Sequence, residues 1–284
     1  MILGTAQFGL DYGISNTRGK ITQTEVAYIL SKAAEAGICT LDTAAAYGNS
    51  EESIGKSLQG RSDFNIITKY PPNTPEKSIN QAFEESLKRL ETKKLYAYLL
   101  HSFSSYQNNP TLLDKLLDLK AKGRVEKIGV SVYHPKEAEA LLQHHAAIDI
   151  VQLPYSVFDQ RFNTILPKLR RKGIETHVRS IYLQGLYFMQ QESIPQHLQK
   201  VAPKVKELQH LAAKYKLPLG AMLMGFVLRH KYITNIVVGV ESLQTLEENI
   251  AFYASQLKEE LYSELQKFEQ TDEDIILPYK WAKA

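Results

Sequence analysis

The sequence predicts an α/β fold of the (β/α)8 barrel class, the TIM barrel, and three observations support this prediction. Eight short apolar runs with the length of strands alternate with longer stretches that have helical periodicity. Ionisable residues stand at the ends of several of these runs, where the active sites of such barrels lie. The chain of 284 residues has the usual length of one barrel. We therefore expect a single domain over residues 1–284.

The first half of the chain alternates strand and helix patterns. The first predicted helix has the clearest limits, because Thr22 and Glu25 form a capping box at its start and Gly37 ends its apolar periodicity. Another helix is predicted over residues 50–58, and a third begins at Thr74 and Pro75. The predicted strands of this half are residues 2–5, 38–41, 65–68 and 95–100.

The second half repeats this alternation. Gly123 ends a helix, Pro135 opens another, and Gly173 ends a third. The predicted helices are residues 112–119, a stretch from 135, and residues 165–171, 201–215, 219–230 and 242–254. The predicted strands are residues 127–131, 148–153, 175–180 and 236–239. Repeated strand–helix units imply parallel strands, and eight of them imply a closed barrel.

The competing architecture is an open doubly wound sheet with two domains. It has less support, because no G-x-G-x-x-G motif follows the first predicted strand. No linker rich in proline, glycine or serine divides the chain either.

Composition and charge argue against several classes of protein. The apolar and charged fractions, 44% and 23%, are ordinary for a globular fold. The net charge of +3 is spread without a basic block, so we expect no nucleic-acid partner. No segment approaches the roughly 20 apolar residues of a membrane helix, so we expect no membrane association. Cys39 is the single cysteine and cannot form an internal disulfide, which is typical of a cytoplasmic protein.

Four ionisable side chains stand at or near three predicted strand ends. Asp42, Lys69 and His101 each follow an apolar run, and Tyr47 lies on the loop that leaves Asp42. In a barrel these strand ends face one shared mouth, so we expect the four side chains to meet there. Each residue alone has an ordinary structural explanation, but the four types complement one another chemically.

This combination suits proton transfer to a carbonyl group. A tyrosine has a pKa of about 10, and a neighbouring ammonium group such as that of Lys69 would lower it. Asp42 would hold the ammonium in place, and neutral His101 would donate a hydrogen bond to the carbonyl oxygen. Tyr47 would then protonate that oxygen as hydride reaches the carbon.

Metal-dependent and serine hydrolysis have no support in the sequence. Neither a metal-ligand spacing nor a G-x-S-x-G motif is present. Cys39 and the pair His144 and His145 lack further ligands nearby, so we interpret them as structural or surface residues and expect no metal.

The sequence resembles the aldo-keto reductase superfamily over nearly its whole length. The segments that carry the resemblance are LGTAQFG, LDTAAAYGNSEESIG, IITKY, YAYLLHS, GRVEKIGVSVY, DIVQLPYS, LQGL and VVGVESLQTLEEN. The resemblance implies a barrel that uses NADP(H), or less often NAD(H), to reduce aldehydes and ketones or to run the reverse reaction. It also implies that Tyr47 is the general acid and base, that Lys69 and Asp42 tune it, and that His101 orients the carbonyl.

The resemblance assigns residues to the nicotinamide end of a cofactor site. Ser131 and Gln152 match the binders of the carboxamide group, and their side chains offer suitable donors and acceptors. Val132 stands where the family usually has asparagine. Arg179, followed by the matching Ser180, stands where an aromatic ring usually stacks on the nicotinamide. A guanidinium plane would stack there too, or reach the pyrophosphate.

The segment from Gly239 to Asn249 resembles the adenosine end of that site. Ser242 is expected to cap a helix whose N-terminus attracts phosphate. Gly239, Glu241 and Thr245 stand where basic partners of a 2′-phosphate would be. Glu241 would repel that phosphate but accept a hydrogen bond from a ribose hydroxyl, so NAD(H) is expected nearly as strongly as NADP(H). The predicted cofactor contacts are Thr5, Asp42, Ser131, Gln152, Arg179, Ser180, Gly239, Glu241, Ser242, Thr245, Glu248 and Asn249.

The expected substrate is a small carbonyl compound. Aromatic residues in loops near the mouth would form an apolar pocket: Phe8, Tyr12, Phe103, Tyr106, Tyr133, Tyr187 and Trp281. A polar loop with Asp11, Asn16 and Arg18 suggests a hydroxylated or charged substrate such as a sugar derivative.

Two other functions stay open. In a barrel lyase or aldolase, Lys69 would act as a Schiff-base nucleophile. A regulatory barrel would instead bind the nicotinamide cofactor without a fast reaction and contact a partner protein.

Overall fold

The predicted barrel is present in the computed structural model, which describes residues 1–61, 63–72, 79–144 and 147–281. Its eight strands are β1 (Ile2–Gly4), β2 (Thr40–Asp42), β3 (Asn65–Tyr70), β4 (Leu95–Leu100), β5 (Val125–Ser131), β6 (Ile150–Pro154), β7 (Glu175–Arg179) and β8 (Asn235–Gly239). All neighbouring strands are parallel and follow chain order, and β8 pairs with β1 to close the barrel. This closed parallel sheet confirms the predicted fold class.

Helices connect the strands. Those in the described residues are α1 (Gln23–Glu35), α2 (Ser50–Leu58), α3 (Ile79–Arg89), α4 (Phe103–Asn108), α5 (Thr111–Ala121), α6 (Pro135–His144), α7 (Leu166–Arg171), α8 (Ala202–Lys214), α9 (Leu219–Leu228), α10 (Leu243–Tyr253), α11 (Glu259–Gln266) and α12 (Glu273–Ile276). The Thr22 side chain caps α1 by accepting from the Glu25 backbone, which is one half of the predicted capping box, while the Glu25 carboxylate pairs with Arg18. The start predicted at Thr74 and Pro75 lies outside the described residues. The sequence did not predict α4, α11 or α12.

The barrel interior is layered, because alternate residues of each strand face inward. A central apolar layer contains Ile2, Ile67, Ala97, Leu99, Ile150 and Val237. Lys69 lies two residues after Ile67 and Gln152 two residues after Ile150, so both face inward nearer the carboxyl ends of the strands. Strand alternation therefore brings polar groups together at this mouth, directly above a packed core.

A second polar cluster lies at the opposite end of the barrel interior. The Glu175 carboxylate accepts a hydrogen bond from Lys127 and lies 3.2 Å from Nε2 of His177. The hydrogen bond with His177 contributes most to lowering the pKa of Glu175, which falls to about 2. Asn235 Nδ2 lies 3.2 Å from the same His177 nitrogen. This cluster joins β5, β7 and β8 away from the mouth.

Among the described residues, no single helix is both long and apolar enough to cross a membrane. One pair of helical segments bent by 94°, Gln196–Lys214 and Leu219–Leu228, meets the length and composition requirement together. Within the second segment, residues 220–227 are buried inside the molecule. An apolar composition all around a helix is what such burial requires.

Candidate active site

The loop that carries Tyr47 is fixed by a close contact between two glycines. Gly48 has φ of +54°, and a Cβ atom there would lie 2.3 Å from the carbonyl oxygen of Gly9. A Cβ atom at Gly9 would lie 1.8 Å from the carbonyl oxygen of Tyr47. Ser50 then ties the start of α2 to β1 by donating a hydrogen bond of 2.8 Å to the Thr5 carbonyl. Only glycine lets these two loops pack so closely.

A buried ion pair lies beneath this loop. Lys69 Nζ donates hydrogen bonds to Asp42 Oδ1 at 2.6 Å and to the Thr43 carbonyl at 2.8 Å. The other carboxylate oxygen of Asp42 accepts from Gln152 Nε2 at 2.7 Å. Thr5 donates to the Asp42 carbonyl at 2.9 Å, so Thr5 supports the carboxylate through the backbone. Both charges are therefore compensated, as a buried pair requires.

Tyr47 and His101 complete the predicted set of four. Lys69 Nζ lies 5.1 Å from the centroid of the Tyr47 ring. The Tyr47 and His101 rings meet edge to face, with centroids 5.5 Å apart. Burial lowers the pKa of His101 to about 3, and the charges of Lys69 and Arg179 act in the same direction. His101 is therefore neutral near pH 7, as the sequence analysis expected.

The pKa of Tyr47 differs from the expectation. Burial raises it above the usual value of about 10, and the charge of Asp42 acts in the same direction. The cation that acts to lower it is Arg179, whereas Lys69 was expected to do so. The physical reason is that Asp42, 2.6 Å from the ammonium, compensates the charge of Lys69.

The nicotinamide end of the predicted cofactor site retains an unused acceptor. Gln152 Oε1 is buried and has no hydrogen-bond partner among the described residues. Ser131 pairs in register with Gln152 on the next strand and is 2% exposed. A buried carbonyl oxygen beside a hydroxyl suits an amide ligand, because buried polar groups need partners. These two residues therefore fit the carboxamide of a nicotinamide, although Val132 lacks the amide that asparagine would add.

Arg179 lies over the ring of Tyr133, with its guanidinium carbon 4.2 Å from the ring centroid. It donates to the Val132 carbonyl at 3.3 Å and to Ser180 Oγ at 3.4 Å. Ser180 has φ of +64°, which turns the chain sharply after β7. No ion pair joins Arg179 to a carboxylate within the described part of the chain.

The start of α10 has the predicted cap. Ser242 Oγ accepts from the Thr245 backbone at 3.0 Å, and Thr245 Oγ1 accepts from the Ser242 and Glu241 backbones. Gly239 ends β8 and is exposed. Burial raises the pKa of Glu241, while the charge of Arg18 opposes that shift.

The last two predicted cofactor contacts have internal partners. Glu248 is exposed, and its carboxylate accepts from Gln244 at 2.9 Å. Asn249 is 5% exposed, and its side-chain oxygen accepts from the Tyr182 hydroxyl at 2.9 Å. The Asn249 amide nitrogen is the group that stays available for a ligand, since no hydrogen bond of the described residues uses it.

Sequence reasoning did not place Arg18 at the adenosine end. The Arg18 guanidinium donates to the Glu241 carbonyl at 2.9 Å and contacts both carboxylate oxygens of Glu25 at 3.2 Å. The Glu241 carbonyl, in the loop after β8, is a backbone atom 223 positions from Arg18, so no sequence signal could identify this contact. Arg18 supplies a basic group beside Glu241 that the local motif lacks.

The expected pocket residues divide into two groups. Tyr12 is exposed, and Phe103 and Tyr133 are partly exposed, so these three are available at the mouth. The other four are packed in the hydrophobic core and do not form its open wall: Phe8, Tyr106, Tyr187 and Trp281. Large aromatic side chains next to barrel loops are buried because they fill the space between strands and helices.

The polar loop also differs from the expectation. Asn16 donates to the Gly19 carbonyl at 3.0 Å and to Asp11 at 3.3 Å, and its oxygen accepts from the Arg18 backbone. These polar groups bind one another and shape the loop, so the loop itself gives no support for a sugar substrate.

In the described residues, no group of three or more His, Cys, Asp or Glu could hold a metal ion. His145 lies outside the described residues.

The profile described as "Aldo/keto reductase family" matches residues 1–270, and the chain therefore belongs to that family. This match confirms the resemblance seen in the sequence motifs. It makes the protein an NAD(P)-dependent oxidoreductase.

Similar proteins agree with this assignment. The chain is 26% identical over 278 residues to the uncharacterized oxidoreductase YqkF of Bacillus subtilis (strain 168), with 89% of each chain covered. It is 25% identical over 261 residues to the NADH-specific methylglyoxal reductase of Escherichia coli (strain K12), covering 76% of this chain and 78% of the relative. The holo structure of the aldo-keto reductase AKR11C1 from Bacillus halodurans superposes with a TM-score of 0.80 at 22% identity, covering 96% and 92% of the two chains. That likeness supports the barrel fold.

Proposed function

We propose that this protein reduces a small aldehyde or ketone to an alcohol, with Tyr47 as the proton donor. One observation carries the proposal. Asp42, Tyr47, Lys69 and His101 converge from three strand ends at the mouth of the barrel. Their contacts give each side chain a distinct part in the reaction.

His101 would position the carbonyl group. As a neutral imidazole it carries one N–H donor, which can point at a carbonyl oxygen beside the Tyr47 ring. A neutral donor stabilises the developing negative charge without competing for the proton. A nicotinamide cofactor, when bound, would supply the hydride.

Tyr47 would deliver the proton to the same oxygen. Its raised pKa keeps the hydroxyl protonated before the reaction, so the proton is present when the oxygen becomes basic. Arg179 is the cation that favours the phenolate that remains, and the ammonium of Lys69 lies 5.1 Å from the ring. Asp42 keeps the ammonium in position.

The residues that would hold the cofactor lie on both sides of this set. Gln152 and Ser131 would bind the carboxamide, and Ser242 caps the helix whose N-terminus would attract the phosphates. Glu241 favours NAD(H), and the nearby cation that would meet a 2′-phosphate, Arg18, is already paired with Glu25. The Escherichia coli relative is named as NADH-specific, so separate titrations with NADH and NADPH are required.

The first substrate class to test is the small dicarbonyl compounds. A relative that shares 25% identity is named a methylglyoxal reductase. A sugar derivative is a second choice, because a relative that is 26% identical over 258 residues is named L-galactose dehydrogenase. We also propose that residues 1–284 form one domain, and that the protein works in the cytoplasm, where the exposed free thiol of Cys39 stays reduced.

The geometry favours reduction over Schiff-base chemistry. Lys69 is fully buried and its amine makes hydrogen bonds to Asp42 and to the Thr43 carbonyl. A nucleophilic lysine must instead have an amine that the substrate can reach. Borohydride is therefore expected to trap no adduct on Lys69.

The substitution Tyr47→Phe tests the proposal. It removes the proton donor while keeping the ring, so we expect kcat to fall by about 10²–10⁴-fold. Cofactor affinity, measured by quenching of protein fluorescence, should change little. Tyr28→Phe is the matched control, because Tyr28 is 64% exposed on α1 and should leave activity unchanged. Full activity in Tyr47→Phe would contradict the proposal.

A further inference from the structure

Arg179 brings a positive charge to the mouth of the barrel without an anionic partner among the described residues. Its two hydrogen bonds, of 3.3 and 3.4 Å, go to the Val132 carbonyl and the Ser180 hydroxyl. Both acceptors are neutral and both distances are long. A guanidinium group carries five N–H donors, so most of them remain free for a ligand.

A neighbouring arginine shows what a purely structural role looks like in the same place. Arg161 donates to both carboxylate oxygens of Asp159, at 2.8 and 2.9 Å. It also donates to the Tyr133 carbonyl at 3.1 Å and lies 3.5 Å from Glu273. Arg161 thus holds the Tyr133 loop with its charge neutralised. Arg179 lies over the ring of the same tyrosine, but its charge has no anionic partner among the described residues.

The free charge faces the groups that would act on the substrate. Arg179 interacts electrostatically with Tyr47, His101 and Tyr12, on three different loops around the mouth. Lys69, which also lies at the mouth, is compensated by Asp42. Arg179 is therefore the cation that an incoming anion would meet beside the proton donor.

We propose that Arg179 binds an anionic group of the substrate, so that carbonyl compounds carrying a carboxylate are preferred. This inference rests on the proposed carbonyl reduction. The planar guanidinium matches a carboxylate in a two-point contact. Tyr133 fixes the plane of the guanidinium from one face, which leaves its edge for the ligand. A partly buried charge without a partner lowers the free energy of unfolding, and a bound anion would remove that cost.

A phosphate group of the cofactor is also an anion that Arg179 would attract. The experiment must therefore distinguish a substrate carboxylate from a cofactor phosphate. Each of glyoxylate, succinic semialdehyde and glutaric semialdehyde is compared with its own methyl ester, in the wild type and in Arg179→Gln and Arg179→Lys. The measured quantity is the ratio of kcat/KM for acid and ester. Affinities for NADH and NADPH are measured separately by fluorescence. Arg124→Gln is the control, since Arg124 pairs with Glu84 on the outside of the barrel.

For at least one acid the wild type should prefer the carboxylate over the ester. The ratio should fall about 10–100-fold in Arg179→Gln, as expected for a lost hydrogen bond to a charged group. Arg179→Lys should retain part of the preference, and Arg124→Gln all of it. Cofactor affinity should change little in every variant.

Three results would overturn the inference while leaving the proposed function intact. One is a wild type whose kcat/KM is the same for the methyl esters as for the free acids. A second is an acid-to-ester ratio that is unchanged in Arg179→Gln while the cofactor affinities are unchanged too. The third is an unchanged ratio with weakened cofactor binding, which would assign Arg179 to a cofactor phosphate. A wild type that binds cofactor but reduces no carbonyl compound at all would instead contradict the proposed function.

Discussion

His101 shows how burial determines the chemistry of a single residue. Its ring contacts Tyr47, and its Nδ1 atom is buried without a hydrogen-bond partner in the described parts of the chain. Desolvation and two nearby cations disfavour protonation of the imidazole. The same effects that make His101 a neutral donor therefore make the folded protein sensitive to acid.

The substitution His101→Gln tests this sensitivity. The pKa of His101 falls from 6.5 to about 3 on folding, so between these values the unfolded chain binds more protons than the folded protein. Stability then decreases as pH falls through this window, by at most about 1.4 kcal/mol per pH unit for one group. We expect the free energy of unfolding, measured with urea at several pH values, to fall less steeply in His101→Gln. Identical slopes for the two proteins would contradict the low pKa.

At the scale of elements, the active loop depends on the contact between Gly9 and Gly48. The backbone of Gly48 is in the left-handed region, and a Cβ atom there would collide with the Gly9 carbonyl. This position in the loop therefore requires glycine for two reasons. Gly60, after α2, is left-handed with φ of +76° but has no atom within 4 Å of its missing Cβ. A comparison of substitutions at Gly48 and Gly60 therefore separates the effect of backbone strain from the effect of close packing.

We expect Gly48→Ala to reduce both stability and kcat, and Gly60→Ala to reduce stability alone. Strain in the left-handed region should cost each variant about 1–3 kcal/mol. In Gly48→Ala the loop must also shift, which moves Tyr47 away from His101. Thermal unfolding and steady-state kinetics on the same preparations check this. Equal kcat values in the two variants would show that the contact does not position Tyr47.

Elements with a strong sequence period were predicted well, and short or polar ones were not. The helix predicted over residues 50–58 and the strand over 95–100 have the observed bounds of α2 and β4. The six residues of α4 are too few to show a helical period. At the candidate site, the positions of ionisable residues at the ends of predicted strands identified the residues that meet. The pKa of Tyr47 and the contact of Arg18 with Glu241 depend on burial and on distant backbone atoms, which no local pattern contains.

At the scale of the whole molecule, the two ends of the barrel have different tasks. The mouth holds the candidate active site, whereas the opposite end holds the cluster of Lys127, Glu175 and His177. In barrels of this class, that opposite end serves stability. The apolar layer between them separates the two polar clusters.

The substitution Glu175→Gln should therefore lower stability without changing catalysis. It removes the carboxylate that Lys127 and His177 share, so we expect the free energy of unfolding to fall by about 1–3 kcal/mol. The kcat and KM values for a reduced carbonyl compound should stay at the wild-type level. Urea unfolding and steady-state kinetics measure the two effects. A large loss of kcat in a folded variant would show that the two ends are coupled.

The pairing of β1 with β8 also has a consequence for biosynthesis. Leu3 lies beside Val238, so the first strand of the chain has one of its two neighbours almost at the other end of the sequence. On the ribosome, the nascent N-terminal strand must keep one edge unpaired until residues 235–239 have emerged. Such long-range contacts slow folding, and an unpaired strand edge invites aggregation. Ribosomes that stall before that point would release chains that a chaperone has to shield.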